Sequence, residues 1–178
     1  MRIISGKFKG KNISAPRNLP VRPTTDFAKE SLFNILTNSI HFEDIKLLEL
    51  FAGTGNIGCE FASRGCDDIT AVDLNFGCVQ FIRKTYKELN IKGKVYRNET
   101  FRFLKSHKDK YNMVFADPPY DLENIIDLPD LIFKKKILSD QGVLIIEHDK
   151  KIDFSQTQYF DNVRQYGKVN FSFFKFEE

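Results

Sequence analysis

The stretch KLLELFAGTGNIG, residues 46–58, decides the fold of this chain. It begins as a short apolar run with the length of a buried strand and continues as a glycine-rich turn. Gly53, Gly55 and Gly58 are spaced as GxGxxG, and glycine permits both a tight turn and the close approach of a ligand. Asp73 lies 20 residues beyond Gly53, at the end of the next apolar run. The combination predicts a strand, a turn and a helix around an adenosine-containing cofactor, whose ribose hydroxyls Asp73 would bind.

Strand and helix patterns alternate along the rest of the chain. The predicted strands are Lys46–Phe51, Ile69–Asp73, Lys94–Arg97, Met113–Asp117, Val143–His148, Asn162–Tyr166 and Val169–Phe176. The predicted helices run from a cap at Thr24 or Thr25 to about Ser39, from the glycine turn to Gly65, from Phe76 to Leu89, over Phe101–Lys105, and up to Lys134–Lys136. This alternation predicts a doubly wound α/β sheet of parallel strands, with its ligand site at their carboxyl ends. The last two strands predict an antiparallel hairpin.

Length and composition indicate one globular protein. The chain has 178 residues, of which 42% are apolar and 29% are charged, as in ordinary globular proteins. Its apolar runs are shorter than the ~20 residues of a membrane span, and the N-terminus lacks the apolar core of a signal peptide. Cys59, Cys66 and Cys78 are odd in number and form no CxxC pair, which favours reduced thiols over disulfides or a zinc site. We expect a cytoplasmic monomer with no metal and no membrane partner.

Basic residues are concentrated near the N-terminus. Residues 1–30 have a net charge of +5, whereas the whole chain has +3. The basic residues of this segment are Arg2, Lys7, Lys9, Lys11, Arg17, Arg22 and Lys29. Residues 2–14 hold two Gly-Lys turns and predict a β-hairpin, and residues 15–23 are proline-rich and predict an extended connector. A basic arm on a near-neutral body indicates a polyanionic partner, although a solvated lysine-rich surface would have the same composition.

Glu49, which lies just before the glycine turn, bears on the choice of cofactor. The helix N-terminus after such a turn is an anion site, which suits the pyrophosphate of a dinucleotide. A carboxylate at this point would repel phosphates, but it suits the cationic amino group and sulfonium of S-adenosylmethionine. The glycine spacing leaves both cofactors open, and Glu49 favours S-adenosylmethionine.

The tetrapeptide DPPY, Asp117–Tyr120, follows the apolar strand of residues 113–116. Its two prolines remove backbone donors and fix an extended, rigid turn. The Asp117 carboxylate and the Pro118 carbonyl can then accept hydrogen bonds from one amino group, while Tyr120 offers a flat face to a base. An exocyclic amino nitrogen is a poor nucleophile because its lone pair is delocalised into the ring, so both acceptors would help to orient it. The tetrapeptide predicts methylation of an amino group on a nucleic-acid base.

In this order, the glycine turn, Asp73 and DPPY resemble the amino-methylating class I methyltransferases. More narrowly, the chain resembles the RsmD family of bacterial 16S ribosomal RNA guanine-N2 methyltransferases. The matching segments are residues 2–6 with Gly10-Lys11, residues 22–33, residues 50–55, residues 63–65, Phe103-Leu104, DPPY, and Tyr166-Gly167. The segment RPTTD, residues 22–26, is the most specific to this family, because the other motifs occur widely.

The resemblance implies a fold, a reaction and a partner. The expected fold is the Rossmann-like class I methyltransferase fold, a mostly parallel seven-stranded α/β sheet with helices on both faces, a C-terminal antiparallel hairpin and a small N-terminal β-hairpin extension. The expected reaction moves a methyl group from S-adenosylmethionine to N2 of a guanine in small-subunit ribosomal RNA and leaves S-adenosylhomocysteine. The RNA would be presented within an assembling or assembled ribosomal particle.

The resemblance also assigns site residues. The implied catalytic residues are Asp117, Pro118 and Tyr120. The implied cofactor residues are Glu49, Phe51, Gly53, Gly55, Asp73, Leu74 and Glu99, with Asn98 as the alternative to Glu99. Residues 1–40 would form a basic RNA-binding extension, and residues 41–178 would form the methyltransferase domain. The implied RNA contacts are Arg2, Lys7, Lys9, Lys11, Arg22 and Thr24.

Other functions remain open at this point. Methylation of adenine in DNA or RNA, or of a protein glutamine, would use the same chemistry, but such enzymes usually carry Asn where Asp117 stands. A nicotinamide-binding Rossmann protein would leave DPPY without a purpose. A non-catalytic RNA-binding module could keep the same cofactor fold.

Overall fold

A computed structural model describes residues 1–16, 18–21 and 25–176 of the chain. Within these residues the helices are α1 (Asp26–Thr37), α2 (Asn56–Ser63), α3 (Phe76–Glu88), α4 (Thr100–Ser106) and α5 (Leu128–Lys134), with 3-10 turns at Phe42–Asp44 and Ile125–Asp127. The strands are β1 (Lys46–Leu50), β2 (Asp68–Asp73), β3 (Gly93–Arg97), β4 (Tyr111–Ala116), β5 (Leu138–His148), β6 (Phe160–Tyr166) and β7 (Val169–Phe174). None of these helices has the length and apolar composition needed to cross a membrane.

The strands form one sheet in the order β3-β2-β1-β4-β5-β7-β6. β1 to β5 pair in parallel, and β7 is antiparallel to both β5 and β6. From β1 the sheet is extended on one side by β2 and then β3. The next strand, β4, pairs with the opposite side of β1, so the order of the strands reverses there. At such a reversal, an α/β sheet opens a crevice for ligands beyond the carboxyl ends of its strands. The predicted α/β fold with its terminal hairpin is confirmed.

Element boundaries follow the local signals, with one exception. Thr25 caps α1 by accepting a hydrogen bond from the Ala28 amide at 3.2 Å, as the sequence predicts for one of the two threonines. β5 begins at Leu138 rather than at Val143. Its first half carries polar, exposed residues, so the apolar pattern on which the prediction rested starts only at Val143.

Two apolar clusters cover the two faces of the sheet. Because strand side chains alternate, Leu47 is buried in one cluster and Leu48 in the other. The first cluster includes Leu32 and Phe33 of α1 and also Ile3 from the N-terminal loop. The N-terminal region is therefore packed on the sheet through the same core as the strands.

The N-terminal loop is anchored to α2 by polar contacts. Arg2 and Asn12 form an antiparallel bridge, and the amides of Ile3 and Ile13 donate to the carbonyls of Lys11 and Met1, so the predicted hairpin is present as a short pairing. The buried Glu60 carboxylate accepts hydrogen bonds from two loop amides at 2.8 and 3.0 Å. Lys29 Nζ, also buried, lies 3.6 Å from Glu60 and donates to the Arg2 carbonyl. Because buried charges need such partners, these contacts fix the loop in one position.

Candidate active site

A cavity of about 870 Å³ lies at the carboxyl ends of the central strands, across the reversal between β1 and β4. Residues that follow β1, β2 and β3 form one half of its wall, which we call the cofactor half; they include Phe51, Gly53, Asp73, Leu74, Phe76 and Glu99. Residues that follow β4, end β5 and begin β7 form the acceptor half; they include Asp117, Pro118, Tyr120, Glu147 and Val169. The volume is within the range of small-molecule sites.

The glycine turn is tied to the end of β2. Gly53 has a φ of +55° and donates its amide to the Asp73 carboxylate at 2.7 Å. The other Asp73 oxygen accepts from the Asn75 amide at 2.8 Å. Phe51 is not a glycine and yet has a φ of +54°, a strained conformation that is common at ligand sites. Phe51, Gly53 and Asp73 therefore form one rigid part of the cavity wall, as the sequence predicts for three cofactor residues.

Gly55 and Glu49 support this turn from behind and are not among the residues that line the large cavity. Gly55 precedes α2 with a φ of +69°, and a Cβ there would lie 3.1 Å from Ile82. The Glu49 side chain is 2% exposed, and its two oxygens accept from the amides of Ile57 at 3.2 Å and Gly58 at 3.1 Å. Glu49 thus contacts the first turn of α2, and it also lines a small cavity beside the turn together with Phe51, Gly53 and Asp117.

Burial dominates the electrostatics of Glu49. It raises the pKa of the carboxyl to about 8, and the hydrogen bonds from Gly58 and Ile57 lower the pKa only in part. Burial also raises the pKa of Asp73, against the lowering effect of its two amide donors. Both carboxyl groups are thus held by backbone amides in a poorly solvated region next to the turn.

The outer wall of the cofactor half is apolar. Leu74 and Phe76 are 62% and 56% exposed, and the Arg97 guanidinium lies 5.5 Å from the centre of the Phe76 ring. Glu99 also lines this wall, and its carboxylate caps α4 by accepting from two backbone amides at 2.7 and 2.8 Å. Asn98 is not among the lining residues, so of the two alternatives Glu99 is the one at the cavity.

The tetrapeptide Asp117–Tyr120, which we call the proline corner, forms the facing wall. The Asp117 amide donates to the Leu50 carbonyl at 3.4 Å, which continues the pairing of β1 with β4 one step beyond the strand end. Asp117, Pro118 and Tyr120 all line the cavity that Gly53 and Asp73 line. The structure therefore brings the three predicted catalytic residues and five of the seven predicted cofactor residues to one crevice.

Glu147 also lines the cavity, although it is only 3% exposed, and it was not predicted from the sequence. Glu147 lies within the strand sequence VLIIEH, where the apolar run conceals it. The sequence pattern that could have identified Glu147 is the one that identified Asp117: an acidic residue at the carboxyl end of a buried parallel strand. Among the described residues, no group of three or more His, Cys, Asp or Glu side chains is arranged to hold a metal ion.

The basic arm lies along α2. Arg2, Lys7, Lys9 and Lys11 are exposed, and Arg2 also lies 3.4 Å from Asp26. The Lys7 amide donates to the Ser63 carbonyl at the end of α2. An eight-residue helix is about 12 Å long, so this part of the arm is that far from the glycine turn. Two of the predicted RNA contacts, Arg22 and Thr24, lie outside the described residues, as does the basic residue Arg17.

The strand order, the glycine turn after β1 and the acidic residue that ends β2 define the Rossmann-like class I methyltransferase fold. The family model described as "Conserved hypothetical protein 95" matches residues 1–175. The chain belongs to this family, which is the RsmD family that the sequence motifs resemble.

Several known proteins are similar to this chain over most of their own length. The chain is 35% identical over 162 residues to the protein YlbH of Bacillus subtilis, covering 88% of this chain and 87% of YlbH. It is 35% identical over 152 residues to the ribosomal RNA small subunit methyltransferase D of Buchnera aphidicola, covering 84% and 78%. The solved structure of the protein yhhF of Escherichia coli superimposes with a TM-score of 0.83 at 26% identity, covering 98% and 96%.

Glu49 makes stability depend on pH in a defined direction. Its pKa is raised from 4.5 to about 8 on folding, so within this window the folded protein holds a proton that the unfolded chain has released. The contribution of Glu49 to the free energy of unfolding therefore falls as the pH rises through the window. We expect the difference in this free energy between wild type and Glu49→Gln to fall from about pH 5 to about pH 8 in urea denaturation. Parallel pH profiles for the two proteins would contradict the raised pKa.

Proposed function

We propose that this protein is an S-adenosylmethionine-dependent methyltransferase that methylates the N2 amino group of a guanine in small-subunit (16S) ribosomal RNA. One observation carries the proposal: the glycine turn after β1 and the proline corner after β4 line the same cavity. Methyl transfer between two bound groups depends mainly on their alignment, and a crevice with one half for each group provides it.

The position of Glu49 supports S-adenosylmethionine over a dinucleotide. A pyrophosphate binds to the free amides at a helix N-terminus. Here the amides of Ile57 and Gly58, in the first turn of α2, already donate to Glu49. A dinucleotide would have to displace this buried carboxyl group, whereas S-adenosylmethionine has no phosphate and leaves the contacts in place.

The cofactor half of the cavity also fits the rest of S-adenosylmethionine. The Asp73 carboxylate, next to the turn, suits the ribose hydroxyls. The exposed apolar surfaces of Leu74 and Phe76 suit the flat adenine ring, and Glu99 lies in the same wall. Gly53, which has no side chain, gives the methionine part room to approach the backbone. The polar ribose thus lies next to a carboxylate, and the adenine ring lies next to apolar side chains.

The proline corner prepares the amino nitrogen for attack. The Asp117 carboxylate and the Pro118 carbonyl accept its two N–H groups and favour a more tetrahedral nitrogen, whose lone pair points at the cofactor half. These hydrogen bonds strengthen as positive charge develops on nitrogen, so they stabilise the transition state more than the ground state. Tyr120 supplies a face on which the base stacks. S-adenosylmethionine, when bound, supplies a sulfonium methyl group, and its sulfur keeps the electron pair of the broken bond. The surplus amino proton passes to Asp117 or to water.

The nature of the substrate is proposed from the relatives and from the basic arm. The Buchnera relative is named a ribosomal RNA small subunit methyltransferase, and the resemblance to the RsmD family points to guanine N2. We assign RNA binding to residues 1–40, whose exposed basic side chains would contact phosphates; Arg22 and Thr24 belong to this surface by sequence. Phosphate contacts position a protein on RNA without reading its sequence.

The proposed setting is the cytoplasm, with the enzyme acting as a monomer on a ribosomal particle. All three cysteines are free and buried, which suits a reducing compartment.

The experiment that tests this function supplies methyl-labelled S-adenosylmethionine and ribosomal particles that lack the modification. After the reaction the RNA is digested and the labelled nucleoside is identified. We expect label in N2-methylguanosine from 16S RNA. Label in adenosine or in protein would contradict the proposal, as would the absence of label from every fraction.

Asp117→Ala tests the proline corner. We expect kcat to fall by about 100-fold or more, because the substitution removes one of the two acceptors for the amino group. Asp117→Asn keeps an acceptor oxygen and should lose less. The affinity for S-adenosylhomocysteine, measured by calorimetry, should be nearly unchanged in both variants. The exposed Asp121 does not line the cavity, so Asp121→Asn is the matched control. Full turnover in Asp117→Ala would count against Asp117 as the acceptor.

Neutralising the arm tests its binding to RNA. Changing Lys7, Lys9 and Lys11 together to Gln should weaken RNA binding and reduce the slope of log K against log salt by about 0.7–0.9 for each phosphate that the arm no longer neutralises. Changing Lys134, Lys135 and Lys136 to Gln removes the same charge from the end of α5, on the opposite face of the sheet, and should leave the slope unaltered. Equal effects of the two triple changes would mean that the arm contributes general charge rather than specific phosphate binding.

A further inference from the structure

Glu147 stands beside Asp117 in the acceptor half of the cavity. The last paired row of β4 and β5 joins Ala116 to Ile146, so Asp117 and Glu147 are the next residues on neighbouring strands. Such strands lie about 4.8 Å apart. Both residues line the cavity, although Glu147 is 3% exposed. The acceptor half therefore presents two adjacent carboxyl groups.

Two neighbouring carboxyl groups, when both are ionised, form a surface that accepts hydrogen bonds and donates none. Among the bases with an exocyclic amino group, guanine alone has three adjacent donor hydrogens on its pairing edge, two on N2 and one on N1. Adenine and cytosine carry two amino hydrogens next to a ring nitrogen with a lone pair. An acceptor surface that extends past the amino group can therefore also bind the N1–H of guanine. The same surface repels the ring lone pair of adenine or cytosine.

We propose that Glu147 determines specificity for guanine by accepting the hydrogen bond of N1–H, while Asp117 and the Pro118 carbonyl accept those of the N2 amino group. This inference rests on the proposed function and adds the residue that selects the base. Glu147 has a contact within the protein. A carboxylate offers about four acceptor positions, so that contact and the bond to N1–H are compatible.

Burial makes this selection strong. A site that is built around a hydrogen bond rejects a substrate that lacks the donor, because the buried acceptor then loses one of its hydrogen bonds. With adenine or cytosine the carboxylate would also face a lone pair at close range, in a region that water does not screen. The same carboxylate would be a weak selector on an exposed surface.

The test compares guanine with 2-aminopurine at the target position of reconstituted small-subunit particles. 2-Aminopurine keeps the 2-amino group, but its N1 carries a lone pair instead of a hydrogen. We expect wild type to prefer guanine in kcat/KM. In Glu147→Gln the side-chain amide can donate to N1 of 2-aminopurine, so the ratio of kcat/KM for guanine to that for 2-aminopurine should fall by at least about tenfold. The intrinsic reactivity of the two amines cancels in this comparison.

The controls separate base selection from a structural role. Asp149→Asn, the same chemical change two residues beyond Glu147 and outside the cavity wall, should leave the ratio unaltered. Affinity for S-adenosylhomocysteine reports on the fold of Glu147→Gln. If both substrates lose activity by the same factor, Glu147 is structural and the inference fails, and it also fails if wild type uses the two bases equally. If wild type methylates no guanine at all, the proposed function fails instead.

Discussion

The register of β1 between β2 and β4 is the constraint on which the site depends. Leu50 pairs with Val72 on one side and with Ala116 on the other, so the next residues of the three strands emerge side by side. Those residues are Phe51, Asp73 and Asp117. A shift of one residue in any of these strands would turn its residue at this edge to the opposite face of the sheet. The parallel pairing, buried on both faces, therefore holds the cofactor half against the acceptor half.

Carboxyl groups around the crevice have different tasks because their surroundings differ. Glu49 and Asp73 accept from backbone amides and hold the glycine turn to α2 and β2. Asp117 and Glu147 end neighbouring strands on the other side of the reversal, where the proposed base binds. All four side chains have the same functional group. The neighbours of each one decide whether it holds the backbone or faces a ligand.

Much of this arrangement was predictable from the sequence. The glycine turn, Asp73 and the proline corner were identifiable because each follows an apolar strand, and parallel strands bring their carboxyl ends to one edge. The arm was less predictable. Its packing depends on Lys29 meeting Glu60, two residues far apart in the chain, and a polar contact of this kind leaves no periodic pattern. The contact of the Glu49 side chain with α2 was also not predictable, because a residue before a glycine turn can face either a ligand or the helix.

In the proposed function, one crevice holds the methyl donor on the side of Gly53 and the base on the side of Asp117. A crystal structure of the protein with S-adenosylhomocysteine tests this most directly. We expect ribose hydroxyls at Asp73, adenine against Leu74 and Phe76, and a sulfur that faces the proline corner across the open part of the cavity. A sulfur that faces away from Asp117, or a ligand bound outside this crevice, would contradict it.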